Sequence, residues 1–197
     1  GTFAAAQSFQ AGAGPNSIAI EDLDGDGVLD LAVANSAFDD VSVLLGLGDG
    51  TFAAPLGFPS GGASNAIAAG DLDGDGVPDL AVANGSSNDV AVLLGVGDGT
   101  FCAAQSYPAG IMPWAIAIED LDGDAVPDLA AVNLEIFGVN DVSVFVGLGD
   151  GSFAPAQSFP VGFGIVSLAT GDLDGNGVMD LAVGSGSIVV MLNQLLG

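Results

Sequence analysis

Along this chain, apolar residues come in short runs closed off by Gly, Asp, Asn or Pro. Ser17-Ile18-Ala19-Ile20, Leu31-Ala32-Val33-Ala34 and Val41-Ser42-Val43-Leu44-Leu45 are the first three. Runs of that length, rich in β-branched residues and bounded by turn formers, predict strands. They are too short and too often interrupted by Gly for helices. A fourth strand is expected around Phe52 to Phe58, reached through Asp49-Gly50. Asp-Gly between apolar runs is a hairpin signal, because both central residues of a type I′ turn need positive φ.

This four-strand pattern recurs. Asp22-Leu23-Asp24-Gly25-Asp26-Gly27-Val28-Leu29-Asp30 follows the first run, and Asp71 to Asp79, Asp120 to Asp128 and Asp172 to Asp180 repeat it, with starts 49, 49 and 52 residues apart. The extra three residues fall between Asn133 and Asp141. Gly48-Asp49-Gly50-Thr51-Phe52 keeps the same register as Gly97 to Phe101 and Gly149 to Phe153. An aromatic follows each Phe six residues later: Phe58, Tyr107 and Phe159. Four strands in about 45–50 residues is the size of a propeller blade. The expected architecture is an all-β, propeller-like array of four four-stranded blades in a single domain over 1–197. Its units run approximately over 11–58, 59–107, 108–159 and 160–197, the last joined by 1–10.

Charge narrows the function. The 197 residues include 25 acidic ones and no Lys, Arg or His, so no side-chain salt bridge can form. Phosphate backbones are bound through cations, so nucleic acid is excluded as a partner, and attraction to an anionic membrane surface fails for the same reason. Acidic chains are often disordered, but here the charge sits in clusters between apolar runs. The 32 Gly and 9 Pro suit many short strands. Cys102 is the only cysteine, which rules out an intrachain disulfide, and it occupies a position held by Ala4, Ala53 and Ala154 in the other copies. No apolar run approaches the roughly 20 residues of a membrane helix. With no signal peptide and no initiator Met, the chain is expected to be a processed or excised piece.

The aspartate loops carry the chemistry. Asp at loop positions 1, 3, 5 and 9 places four carboxylates on one tight turn, and calcium takes about 6–8 oxygen ligands in a flexible shell. The expected ligands are Asp22, Asp24, Asp26 and Asp30, with the Val28 carbonyl at position 7. The later copies offer Asp71, Asp73, Asp75, Val77 and Asp79, then Asp120, Asp122, Asp124, Val126 and Asp128, then Asp172, Asp174, Asn176, Val178 and Asp180. Up to four Ca2+ ions are expected, one per repeat. Magnesium fits less well because it demands a strict octahedron, and zinc lacks its His and Cys ligands. Gly27 at position 6 permits the sharp reversal. Ala125 stands at that position in the third copy, where positive φ would strain it, so that site is expected to be weaker or differently shaped. Val33 and Val82 stand where an EF-hand has its position-12 Glu, and strands flank the loop.

The four Asp-x-Asp-Gly-Asp/Asn-Gly/Ala-x-x-Asp loops and the Gly-Asp-Gly-Thr/Ser-Phe turns resemble the FG-GAP or VCBS repeat family, best known from the propellers of integrin α chains. The resemblance covers essentially the whole chain. It implies a propeller-type fold with calcium between the first two strands of each blade, and extracellular adhesive, lectin-like or scaffolding roles. Family propellers are usually seven-bladed, and this chain has four units.

The first and last units complement each other. Gly1-Thr2-Phe3 and Phe9 match the fourth strand of a unit, whereas the last unit stops after Ile188 to Leu192 and ends Asn193-Gln194-Leu195-Leu196-Gly197. Three arrangements satisfy this: a closed four-bladed ring, one larger ring from two chains, or an open filament in which each head completes the next tail.

Catalysis is not expected. His and Lys are absent, and the only Glu residues are Glu21, Glu119 and Glu135, which read as solvated or loop-supporting acids. Trp114 stands where other copies have Asn16, Asn65 and Val166, and either packing or stacking on a sugar would explain it. Asn84-Gly85-Ser86 is the only glycosylation sequon, yet Asn84 aligns with Asn35 and Asn133, so a turn role accounts for all three. The expected function is a secreted, non-enzymatic, calcium-stabilised structural or adhesive module that self-associates through its ends. The alternative is a calcium-dependent lectin, with carbohydrate or an extracellular protein as partner.

Overall fold

Strands form where the apolar runs predict them. The computed structural model describes residues 1–135, 138–185 and 187–194, with Ile165, Val166 and Ser185 described in backbone only. Residues 136–137 of the longer third-repeat loop and the last residues, 195–197, lie outside the described residues. The first sheet contains β1 (Pro15–Glu21), β2 (Asp30–Asn35), β3 (Asp40–Leu44) and β4 (Leu56–Pro59). The second contains β5 (Ser64–Gly70), β6 (Asp79–Asn84), β7 (Asp89–Leu93) and β8 (Gln105–Pro108). The third contains β9 (Pro113–Glu119), β10 (Asp128–Asn133), β11 (Asn140–Phe145) and β12 (Gln157–Gly162). The fourth contains β13 (Ile165–Gly171), β14 (Asp180–Ser185) and β15 (Ser187–Met191).

Every sheet is an antiparallel meander in chain order. No helix occurs among the described residues. The innermost strands β1, β5, β9 and β13 pack side by side, so the sheets stand as successive blades around a common axis. Residues 1–10 lie outside any strand, and β15 is an open edge of the three-stranded fourth sheet among the described residues. In the structure, then, residues 1–10 do not complete the last blade of their own chain.

The second strands explain the composition. β6 and β10 are buried at every position. A strand covered on both faces reads as a continuous apolar run, which is the pattern of Leu80-Ala81-Val82-Ala83. Its small Ala residues let adjacent sheets approach closely. Three core clusters result, one at each blade–blade interface. The first joins Leu23, Val41 and Val43 of the first blade to Ile67, Leu80, Leu93 and Phe101 of the second.

In the second and third blades, the aromatic of the Gly-Asp-Gly-Thr/Ser-Phe turn meets the outer strand of the blade before it. Phe101 lies edge-on to Phe58 with ring centroids 5.4 Å apart, and Phe153 meets Tyr107 at 5.4 Å. Edge-to-face pairs contribute about 0.5–1.5 kcal/mol beyond area burial. The same turn closes over the preceding aspartate loop, where the Gly99 N–H donates to the Leu23 carbonyl at 3.2 Å.

Candidate metal centre

Each aspartate loop runs from an innermost strand into the second strand, as β1 leads through residues 22–29 into β2. The side chains at positions 1, 3 and 5 wrap the backbone around themselves. The two oxygens of Asp22 accept the N–H groups of Gly25 and Gly27, both at 2.9 Å. Asp24 accepts from Asp26 at 3.1 Å, and Asp26 from Val28 at 2.7 Å. Short carboxylates forming such local turns are a known competitor of regular strand structure, and here they end β1 and start β2.

The third loop keeps this shape. Ala125 sits at φ 70°, beside 84°, 86° and 86° for Gly27, Gly76 and Gly177. Its N–H still reaches Asp120 at 2.9 Å. The cost of the methyl group at positive φ is therefore borne as strain and does not reshape the loop.

Position 9 does more than the sequence reading assigned to it. Asp30, Asp79 and Asp128 are buried. Asp79 accepts the Leu72 N–H at 2.8 Å with one oxygen and the Gly95 N–H at 2.7 Å with the other. One carboxylate thus ties the loop to the end of the third strand, which fixes the loop on the blade. The Gly is required by the close approach: a Cβ on Gly95 would lie 2.4 Å from the Pro78 carbonyl oxygen.

The carboxylates of positions 1, 3 and 9 come together in all four repeats. Asp22, Asp24 and Asp30 each offer an oxygen within 4.8 Å of the others, as do Asp71, Asp73 and Asp79, Asp120, Asp122 and Asp128, and Asp172, Asp174 and Asp180. Position 5 also bonds within its own loop. Asp26, Asp75, Asp124 and Asn176 direct a side-chain oxygen to the N–H of Val28, Val77, Val126 and Val178. Asn176 keeps that acceptor and uses its amide to donate to the Asn193 carbonyl at 2.9 Å, so Asn serves where Asp stands elsewhere.

With no Lys, Arg or His in the chain, nothing in the protein neutralises these groups. The Asp24 carboxyl is held above its ordinary range, first by burial and then by the charges of Asp26, Asp30 and Asp22. Burial likewise raises Asp79 and Asp128, against the N–H donors that stabilise their anions. An all-oxygen set of converging carboxylates, each oxygen with lone pairs left after its N–H contact, fits a hard divalent cation.

The remaining residues singled out in the sequence lie elsewhere. Glu119 accepts the Thr170 hydroxyl at 2.8 Å and links the third and fourth blades. Trp114 is partly exposed at the central axis, in a cavity of about 340 Å3 with Asn16, Ser17, Asn65 and Ile116. Asn16 donates to the Asn65 carbonyl at 3.1 Å and Asn65 to that of Pro113 at 2.9 Å, and Trp114 takes the equivalent place in the third blade. Asn84 is fully buried, its amide donating to Ser60 O at 2.7 Å and Asp89 at 3.0 Å, so the sequon cannot carry a glycan in this fold. Asn35 and Asn133 hold the same position and bond Asp40 with Ser42 and Asp141 with Ser143.

The model of a family described as FG-GAP-like repeat matches residues 22–82, 71–131 and 133–183. The chain belongs to the FG-GAP-like repeat family. The first two matches begin at an aspartate loop and the third at the end of β10, and each runs from one blade into the next, so the FG-GAP-like unit is offset from the sheets. None of the curated proteins matches the chain. Among solved structures, BBS1N in complex with ARL6DN is similar with a TM-score of 0.58 at 15% identity, over 92% of this chain and 58% of that one. Kuenenia stuttgartiensis hydrazine synthase is similar with a TM-score of 0.56 at 15% identity, over 93% of this chain and 55% of that one. The Photorhabdus luminescens Tc holotoxin pore has a TM-score of 0.49 at 23% identity, over 84% of this chain and 8% of that one. The first two likenesses show a β-propeller-like fold, and the chain spans little more than half the length of those two.

Proposed function

We propose that this FG-GAP-like chain is a calcium-stabilised, non-enzymatic structural or adhesive module of the extracellular space that joins end to end with copies of itself. The observation that carries this reading is the fourfold recurrence of three converging carboxylates in a chain without a single basic side chain. Asp22, Asp24 and Asp30, and their counterparts, would hold the ion. Bound calcium supplies the positive charge and oxygen coordination that such a group lacks. The protein's own part is the loop: Asp22 and Asp24 shape it, and Asp30 anchors it to the third strand. Binding that requires a folded loop becomes folding free energy. Extracellular calcium modules operate at roughly 10⁻⁴–10⁻³ M, and a chain without Lys or Arg offers trypsin no cleavage site.

The lack of His and Lys supports a non-enzymatic role, since general acid–base and nucleophilic catalysis usually draw on them. Light scattering with electron microscopy, in millimolar calcium and after chelation, tests the reading. Rings or long particles that disperse on chelation agree with it. A calcium-bound single chain of unchanged size contradicts it.

One observation favours a second reading. Trp114 lines the axial cavity together with Asn16 and Asn65, a composition suited to a sugar. Glycan binding that needs calcium and disappears in Trp114→Ala would establish a lectin.

A further inference from the structure

Among the described residues, the interface between the third and fourth blades contains a cavity where each of the first two interfaces holds an aromatic. Phe101 sits among Leu23, Val43, Leu80 and partly buried Leu45 and Phe58. Phe153 sits among Leu72, Val92, Leu129, Leu94 and Tyr107. The corresponding walls of the third interface, Leu121, Val144, Val146, Phe159 and Leu181, line a cavity of about 330 Å3 together with Met191. No aromatic of a Gly-Asp-Gly-Thr-Phe turn enters it among the described residues.

Elsewhere the chain exposes the missing piece. Phe3 is fully exposed, in the Gly-Thr-Phe context of the other plugs. Phe9, six residues on, already lies edge-on to Phe52 at 5.1 Å, the contact that Phe58 makes with Phe101. Residues 1–10 therefore stand as the outer strand of a blade that would precede the first one.

The two end faces are halves of an interface the fold already uses. Ile18 on β1 is 58% exposed, whereas Ile67, its counterpart on β5, is 6% exposed against the first blade. Ile188 on β15 is 77% exposed, whereas Val41, its counterpart on β3, is fully buried against the second. Since these faces stay exposed within one chain, they do not cover each other in cis. Residues 1–20 carry no acidic side chain, so this arm approaches an otherwise acidic molecule without like-charge repulsion.

We infer that residues 1–10 of a second copy add to β15 as the fourth strand of the last blade and insert Phe3 into this cavity, so that the first blade of one copy packs on the fourth blade of the next. This rests on the end-to-end reading above and names its joint. The β3–β4 register pairs Val41 with Phe58 and Val43 with Leu56. Transferred to the joint, it sets Ile188 opposite Phe9 and Val190 opposite Gln7.

The test uses the full chain with Cys102→Ala, in millimolar calcium. Chains carrying Gln7→Cys are mixed with chains carrying Val190→Cys and oxidised, with Val189→Cys as the register control. Disulfide-linked pairs of chains from the first mixture, and few from the control, are expected. Phe3→Ala, which removes a side chain that touches nothing in its own chain, is expected to weaken association at least tenfold by sedimentation. A disulfide within one chain of the Gln7→Cys/Val190→Cys double variant overturns the joint in favour of self-closure. Large particles unaffected by Phe3→Ala and not cross-linked overturn the joint while leaving end-to-end association standing. Single chains under all conditions overturn both.

Discussion

Asp30 and Gly46 lie 16 residues apart and are joined by a hydrogen bond of 2.6 Å from the Gly46 N–H to Asp30 Oδ1. The second oxygen of Asp30 takes the Leu23 N–H at 2.8 Å. The repeats thus use one buried carboxylate both to close the aspartate loop and to face the group of three oxygens. Metal affinity and fold stability are separable at this point, because Asp24 lacks the tie to the third strand.

That separation gives the first prediction. Asp79→Ala leaves two N–H groups without their charged acceptor and is expected to cost at least about 3 kcal/mol, even in chelator. Asp73→Asn is expected to change stability in chelator by less than about 0.5 kcal/mol while lowering calcium affinity. Urea unfolding of both variants, with calcium and without, checks the contrast. Equal losses in chelator would contradict it.

Ala125 holds a left-handed conformation at φ 70°. Ala125→Gly relieves that strain and is expected to stabilise the protein by about 1 kcal/mol. An unchanged unfolding midpoint would show that the third loop carries no strain.

Phe153 is a plug between the second and third blades. Phe153→Ala opens a core cavity and is expected to cost about 3–5 kcal/mol. A cost under about 1 kcal/mol would mean that the aromatic contacts do not hold the blades together.

Asp49, Asp98 and Asp150 respond to pH through their turns. Their carboxyls are held below the ordinary range, first by the hydroxyls of Thr51, Thr100 and Ser152 and then by the N–H groups of the same residues. A carboxyl with a folded value below its unfolded one contributes stability above the ordinary carboxylate range, and that contribution is lost as pH falls through the depressed folded value. Thr51→Val is expected to move the Asp49 titration upward in carboxyl NMR and to leave Asp98 in place. A titration that does not move would remove the hydroxyl as the cause.

The strands and loops were legible because the repeat shows each signal several times. Short apolar runs locate the first three strands of each blade, and the position-6 Gly locates the reversal; the fourth strand, expected around Phe52 to Phe58 from the Asp-Gly turn, forms at Leu56–Pro59. Other features depend on contacts between distant residues, which local pattern does not encode. The double use of Asp30 depends on Gly46, whose only sequence trace is a Gly at the same place in three copies. The buried hub of Asn35, Asn84 and Asn133 was visible as an aligned turn residue. Its burial follows from the segment that leads into the blade, where Gly12, Gly62 and Gly110 press against these side chains, and so does the exclusion of a glycan at Asn84.

The central claim is that carboxylate groups without any basic partner depend on calcium for stability, and thermal unfolding across a calcium titration tests it most directly. The melting temperature is expected to climb steadily from chelator to millimolar calcium, because each site contributes about 2.7 kcal/mol when calcium reaches a hundred times its Kd. Calorimetry should find up to four ions per chain, one for each group of three carboxylates. A melting temperature that is the same in chelator and in saturating calcium would contradict the account, leaving the aspartate loops as turns that fold without an ion.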